Sequence, residues 1–394
     1  MQTPNNLQAR RVGIIENLHD ILGFKDGAAL ECTTERYSGA VGGNTGNLAF
    51  VLGANVSIAN HKNRIFWGTT PQRARELADH IVICCANQIG KHADLSVWAE
   101  KLLAFDMPVT LLGLGAQTTN YEDKVEVPDG TKRFLEAVTK LNSNKNGSNI
   151  GVRGEFTKNV LQDLGFDSQV TGCPSLFISS DASLGQTIAS AEIAGTESKI
   201  AVAAGNPYHQ ETRKLEQNLV DLVEKTHGAY IVQHPDIMIS LATGRLSETD
   251  IQKIPAILDA YGNKFSVDGL LKWFRRHGFA FYDAVAWIDF LRHYDFVIGP
   301  RYHGVALGVQ AGRPSVVVHM DNRTRELATT TGIKSISAED FKNYSLEDVL
   351  QVVKWSKEEG EAFDANRKMR AKILVEFLSG NMLEPSQRLL GIAN

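Results

Sequence analysis

The sequence predicts an α/β protein made of two doubly wound parallel-sheet domains that face each other across a cleft. Apolar runs of strand length alternate with amphipathic runs of helix length along most of the chain, the pattern of parallel strands joined by helical crossovers. The alternation pauses once, over the small, polar and weakly periodic stretch SSDASLGQTIASAEIAGTES at 179–198, and then resumes. A length of 394 residues also exceeds what one core supports, so two domains of roughly 150 to 200 residues follow. The expected division is 1–180, 181–360 and a tail, 361–394, that packs back toward the first domain.

Taken in order, residues 7–22 space Val12, Ile15, Leu18 and Leu22 along one helical face, and 28–34 reads as a first strand. A glycine-rich loop follows, with Gly39, Gly42, Gly43 and Gly46 interleaved with Asn44 and Thr45, and it enters a helix near Asn47. Such a loop either brings backbone close to a ligand or packs tightly, and it lacks the Gly-Lys-Ser/Thr ending of a Walker phosphate loop. Strands are expected at 79–85, 108–114, 149–153 and 168–171, with helices at 94–105, 131–141 and 155–164 between them. Gly115, Gln117, Arg153 and Pro174-Ser175 then fall at strand carboxyl ends, where parallel sheets collect ligands.

In the second half, strands are expected at 199–204, 230–233 and 279–281, with helices at 211–226, 246–260, 270–276 and 285–291. Asn206, His209 and His234 follow two of these strands, a position open to structural and functional readings alike. The most informative stretch is YDFVIGPRYHGVALGVQAGRPSVVVH at 294–319: a strand ending at Gly299-Pro300, a turn holding Arg301, His303 and Gly304, an apolar helix closed by Gly312, and a strand led by Pro314. The first N–H groups of a buried helix lack partners, its dipole is positive there, and Arg301 adds a fixed charge, so the turn suits an anion. His303 can bind that anion or move a proton near neutral pH. In the plainer reading Arg301 pairs with a carboxylate and His303 caps a carbonyl. Two further helices, at 346–357 and 360–378, complete the chain.

With 43% hydrophobic and 22% charged residues and a net charge of −4, the composition is ordinary globular, with no footprint for nucleic acid or a generic anionic membrane. The opening MQTPNNLQARRVG lacks a secretory apolar core, and no later run reaches the ~20 apolar residues of a span, so a cytoplasmic protein is expected. Cys32, Cys84, Cys85 and Cys173 show no Cys-x-x-Cys spacing and read as reduced. No His/Cys/carboxylate spacing suggests a metal.

The order of these pieces resembles the polysaccharide pyruvyl transferase family. The resembling residues are GGNTGN at 42–47, GLGAQ at 113–117, GVRGEFTKNVLQDLGF at 151–166, VTGCPSLF at 170–177 and, most specifically, the Arg301-Tyr302-His303-Gly304 turn with its flanking strands. The resemblance implies Rossmann-like domains similar to the GT-B glycosyltransferase fold, with the acceptor side in the first domain and the donor side in the second. It implies transfer of pyruvate from phosphoenolpyruvate to a sugar as a ketal, with no cofactor and no metal. The acceptor is then a saccharide or lipid-linked oligosaccharide, which is compatible with peripheral association at a membrane; nucleic acid is not a partner, and the oligomeric state is not readable. Arg301 and His303 become the catalytic pair, with Arg153, Asn44, Asn47, Gln117, Gly304, Asn206 and His234 lining the substrates across one cleft. Two departures stand out: Asn47 occupies the position of a usual aspartate, leaving the general base unassigned, and Tyr302 replaces a usual leucine. Two other readings stay open, a nucleotide-sugar glycosyltransferase of the same architecture and a non-catalytic anion- or sugar-binding protein.

Overall fold

The computed structural model describes residues 10–16, 33–118 and 124–394. It contains two six-stranded sheets, both wholly parallel, with helices between their strands. The first has the order β2-β1-β3-β4-β5-β6, with β1 Val12–Ile15, β2 Lys62–Arg64, β3 His80–Cys84, β4 Val109–Leu114, β5 Ile150–Val152 and β6 Gln169–Val170. Every residue of β1, β3, β4 and β5 is buried, which explains their largely apolar character: both faces of such a sheet are covered, and the two polar side chains, His80 and Thr110, meet each other at 2.8 Å.

The second sheet runs β12-β11-β10-β7-β8-β9, with β7 Ile200–Ala203, β8 Ala229–Ile231, β9 Gly278–Phe279, β10 Phe296–Gly299, β11 Ser315–His319 and β12 Ser335–Ser337. Counted from β7 and read from the other edge, this is the 3-2-1-4-5-6 order of a Rossmann sheet, whose winding reverses between β7 and β10. Ligands in such sheets sit outside the carboxyl ends of the strands at that reversal.

The described residues cluster into two compact units. One takes residues 10–16, Gly53–Ser180 and Arg367–Asn394; the other takes residues 33–52 and Asp181–Asn366. The glycine-rich loop and the start of the helix Asn47–Ser57 therefore belong with the second sheet, although they precede most of the first in sequence. The tail belongs to the first unit: Arg367, 1% exposed, donates from Nε to the Leu176 carbonyl at 2.9 Å, and Asn381 donates to the Ser148 carbonyl at 3.1 Å.

Several expected elements change form. Val12–Ile15, read as part of a helix over 7–22, is a strand paired on both sides, by β2 and β3. Its run VGII is β-branched, and tertiary pairing overrides a spacing that also fits a helix. Apart from residues 10, 11 and 16, which carry no regular structure, the rest of that expected helix, nearly all of the strand expected at 28–34, and Cys32 lie outside the described residues; Thr33 and Thr34 are described, as the N-cap and first residue of the helix Thr34–Ala40. The helix expected at 246–260 is two 3-10 turns, Leu246–Glu248 and Ile251–Lys253, leading into Ile254–Ala260, because the Asp250 side chain accepts from Gln252 N–H and restarts the chain there. The helix expected at 346–357 stops at Val352, and the next spans Lys357–Gly380. Cys84, Cys85 and Cys173 are buried and form no disulfide among the described residues. No described helix is long and apolar enough to cross a membrane.

Candidate active site

The second unit gathers polar groups at the carboxyl edge of its sheet, around the reversal between β7 and β10. β10 ends at Gly299, Pro300 follows, and Arg301 is the N-cap of the helix Tyr302–Gln310. Arg301 makes no side-chain capping bond, and its Nε is buried without a partner. Burial lowers its pKa to about 10, with the charge of Arg323 acting in the same direction and those of Glu216 and Asp321 opposing. Even so it remains a cation at neutral pH. A buried guanidinium N–H with no acceptor costs free energy unless a ligand supplies one.

Arg323 follows β11, in the first turn of the helix Asn322–Thr331, and pairs with Asp321 at 3.4 Å. The sequence analysis gave Arg323 no role. Two guanidiniums whose charges oppose each other, each at a helix N-terminus, have the chemistry to hold a ligand with more than one negative charge. Tyr302 faces inward, 4% exposed, and its O–H donates to Thr331 Oγ1 at 3.0 Å. The tyrosine at 302 therefore lies on the core side of the turn.

His303 rests on the ring of Phe50, 5.3 Å between centroids, which ties it to the glycine-rich loop and its helix. Gln233 sits between that loop and the turn. It is 1% exposed, and its backbone carbonyl accepts from Thr45 N–H at 3.2 Å. A Cβ on Gly46 would lie 2.5 Å from Gln233 Oε1, and one on Gly304 would lie 2.6 Å from Gln233 Nε2. Close approach of the buried Gln233 side chain favours glycine at both positions, and at Gly304 the Ala203 Cβ, 2.8 Å from the added atom, does so as well; the buried Nε2 has no partner. Gln233 was read only as a strand residue; the signal that marks it is a polar side chain directly after the buried run Tyr-Ile-Val.

His234, next along the chain, borders a pocket of ≈ 680 Å³ lined also by Ser38, Gly43, Tyr208, Asp236 and Lys253. Its pKa is lowered by burial and by the charge of Arg301, so it is neutral at pH 7. Its buried Nδ1 meets no partner outside its own residue's backbone.

The asparagines serve the loops. Asn44 Oδ1 accepts from Gly46 N–H at 2.8 Å, and Asn206 Oδ1 accepts from Tyr208 N–H at 3.1 Å, each closing a turn. Asn47, 8% exposed, donates to the Val41 carbonyl at 2.8 Å. A carboxylate cannot make that bond, so the amide at 47 is a brace for the glycine-rich loop.

Arg153 and Gln117 stand in the first unit. Arg153, 2% exposed, donates to the Gly113 carbonyl at 2.7 Å, the Cys85 carbonyl at 3.2 Å and Asn87 Oδ1 at 2.5 Å; Asn87 in turn donates to Gln117 Oε1 at 3.1 Å. Arg153 and Gln117 are therefore brought together through Asn87, which sequence reasoning passed over. The other expected residues, Asn44, Asn47, Asn206, His234, Arg301, His303 and Gly304, all fall in the second unit.

The sequence profile of the family described as polysaccharide pyruvyl transferase matches residues 43–322, from the glycine-rich loop through the Arg301 turn to Asn322. The chain belongs to that family. Membership makes it a transferase in fold lineage and links it to polysaccharide synthesis. None of the curated proteins matches the sequence. Among solved structures, the chain is similar to a putative UDP-N-acetylglucosamine 2-epimerase from Listeria monocytogenes, at 13% identity over 81% of this chain and 84% of that one, with a TM-score of 0.41. It is also similar to another UDP-N-acetylglucosamine 2-epimerase, at 11% identity over 79% and 76%, with a TM-score of 0.40. A third is S. aureus MnaA, solved with UDP, at 11% identity over 83% and 84%, also with a TM-score of 0.40. At such identities nothing about those proteins' activity carries over to this chain.

Proposed function

We propose that this polysaccharide pyruvyl transferase family member moves the pyruvyl group of phosphoenolpyruvate onto two hydroxyls of a saccharide, forming a cyclic ketal and releasing phosphate. The observation that carries the reading is the buried, unpartnered Nε of Arg301 at a helix N-terminus beside Arg323. Phosphoenolpyruvate has two acidic groups, and two guanidiniums plus the helix N-terminus suit them.

The chemistry follows from the donor. Protonation of the methylene carbon turns the enol into a methyl group and leaves an oxocarbenium-like carbon. One saccharide hydroxyl attacks that carbon and gives up its proton. The C–O bond to phosphate then breaks, with the electron pair leaving on phosphate, and a second hydroxyl closes the ring. Of the two hydroxyl protons, one balances the proton placed on the methyl group and the other leaves with phosphate. His303, beside Arg301, is the proton donor in this scheme. His234, neutral and bordering the pocket with Tyr208 and Asp236, suits the side where the acceptor hydroxyl loses its proton. The test is mass spectrometry of saccharide acceptors incubated with the protein and phosphoenolpyruvate. A gain of one pyruvyl ketal with stoichiometric phosphate supports the reading; transfer from a nucleotide sugar instead overturns it.

A further inference from the structure

One carboxylate in the second unit is buried where packing alone calls for an apolar side chain. In the helix Arg213–Thr226, Leu215, Leu219, Val220, Leu222 and Val223 face the core, and Glu216 joins them at 0% exposed. Tyr230 on β8 donates its O–H to Glu216 Oε2, and Tyr261 donates to the Tyr230 hydroxyl at 3.0 Å. On its other side Glu216 lies against the strand-end loop after β7. A Cβ on Gly205 would fall 2.0 Å from Glu216 Oε1 and 3.1 Å from the Pro300 ring. The carboxylate is thus packed beneath the turn that presents Arg301, at the point where the sheet's winding reverses.

Burying a carboxylate is costly unless a cation compensates it. Around Glu216 stand the Tyr230 and Tyr261 hydroxyls and the Gly205 backbone, and the charge of Arg301 acts on it from beyond ion-pair distance; Arg301 in turn feels the charges of Arg323 and Asp321 and interacts with Tyr230 and His234. Burial raises Glu216 to about 6 in spite of the Tyr230 hydrogen bond, the Arg301 charge and the Gly205 amide.

We propose that Glu216 is the positioning residue of Arg301, supplying its counter-charge while the anion site is empty and taking up a proton when the acidic donor binds. The donor's acidic groups and the Glu216 carboxylate then no longer compete for one guanidinium. The donor named here rests on the phosphoenolpyruvate reading above; the coupling between Glu216 and an anion on Arg301 does not.

The experiment is calorimetric titration of phosphoenolpyruvate, and separately of sulfate, into wild type and Glu216→Gln, in buffers of different ionisation enthalpy at and above pH 6. Sulfate carries no titrating proton in this range, so it isolates the protein's own uptake. Wild type is expected to take up more protons per anion bound than Glu216→Gln. Its affinity relative to the variant should fall by up to about tenfold per pH unit above the Glu216 pKa. Equal uptake and parallel pH profiles for both proteins overturn the proposal and leave Glu216 a packing residue, whose loss would move only the melting temperature. Sulfate coupling without phosphoenolpyruvate binding keeps the proposal and rejects the donor. If neither anion binds, Arg301 has no anion site and the proposal fails.

Discussion

Gln233 occupies the space that a side chain at Gly304 would need: a Cβ there would come within 2.6 Å of Gln233 Nε2. The same amide blocks a side chain at Gly46 from the other side, at 2.5 Å. One buried residue thereby holds the glycine-rich loop against the Arg-x-His-Gly turn within the second unit. Gly304→Ala and Gly46→Ala should each displace it and cost about 1–3 kcal/mol, the usual penalty of overpacking. Urea unfolding checks this. Stability unchanged in both variants would mean that the two segments are not locked through Gln233.

The asparagine at 47 makes a separate prediction. Because its amide donates to the Val41 carbonyl at 2.8 Å, Asn47→Asp exchanges a donor for a charge facing an oxygen. Stability should drop by about 1–3 kcal/mol at neutral pH and recover partly in acid, where the new carboxyl can donate. If restoring the acid instead raised turnover at no cost in stability, position 47 would be a base site and His234 would lose its role.

Glu216 gives the chain a pH-dependent stability of definite sign. Its folded pKa, about 6, lies above the ordinary 4.5, so its contribution is fully present below 4.5 and is lost as pH rises through 6. The swing is about 2 kcal/mol for a shift of this size. Denaturant unfolding of wild type and Glu216→Gln across that window should show the variant flatter by this amount, and superimposable curves would contradict it.

In the proposed mechanism Arg301 and His303 divide the work. Arg301→Ala should abolish donor binding, since an arginine holds its proton and grips acidic groups through a fork of donors. His303→Ala should retain part of that binding while turnover falls by roughly a hundredfold to ten thousandfold. Binding and turnover at wild-type level in both variants would make the turn purely structural.

Which of these features could be read from the chain depended on how local they are. The stretch 294–319 was legible because strand, turn and helix are contiguous and each carries its own signal, the Gly299-Pro300 break and the apolar run before Gly312 included. Val12–Ile15 was not, because its spacing fits a helix and only pairing with β2 and β3 decides otherwise. The membership of the glycine-rich loop in the second unit is a long-range packing fact that no local pattern records. Glu216 left a trace: with Leu219, Val220 and Val223 it falls at i, i+3, i+4 and i+7, the buried face of its helix. Charged residues are normally assigned to the solvent side, which hid it. Arg323 was visible as a residue following the last expected strand, but its repulsion with Arg301 depends on β10 and β11 lying side by side.

In the proposed reaction the turn beginning at Arg301 binds the acidic donor. Calorimetric titration of phosphoenolpyruvate into wild type and Arg301→Ala tests it most directly. Saturable binding to the wild type and none to the variant is expected, with both proteins folded by circular dichroism. Absence of binding to the wild type, or equal binding to both, would contradict it.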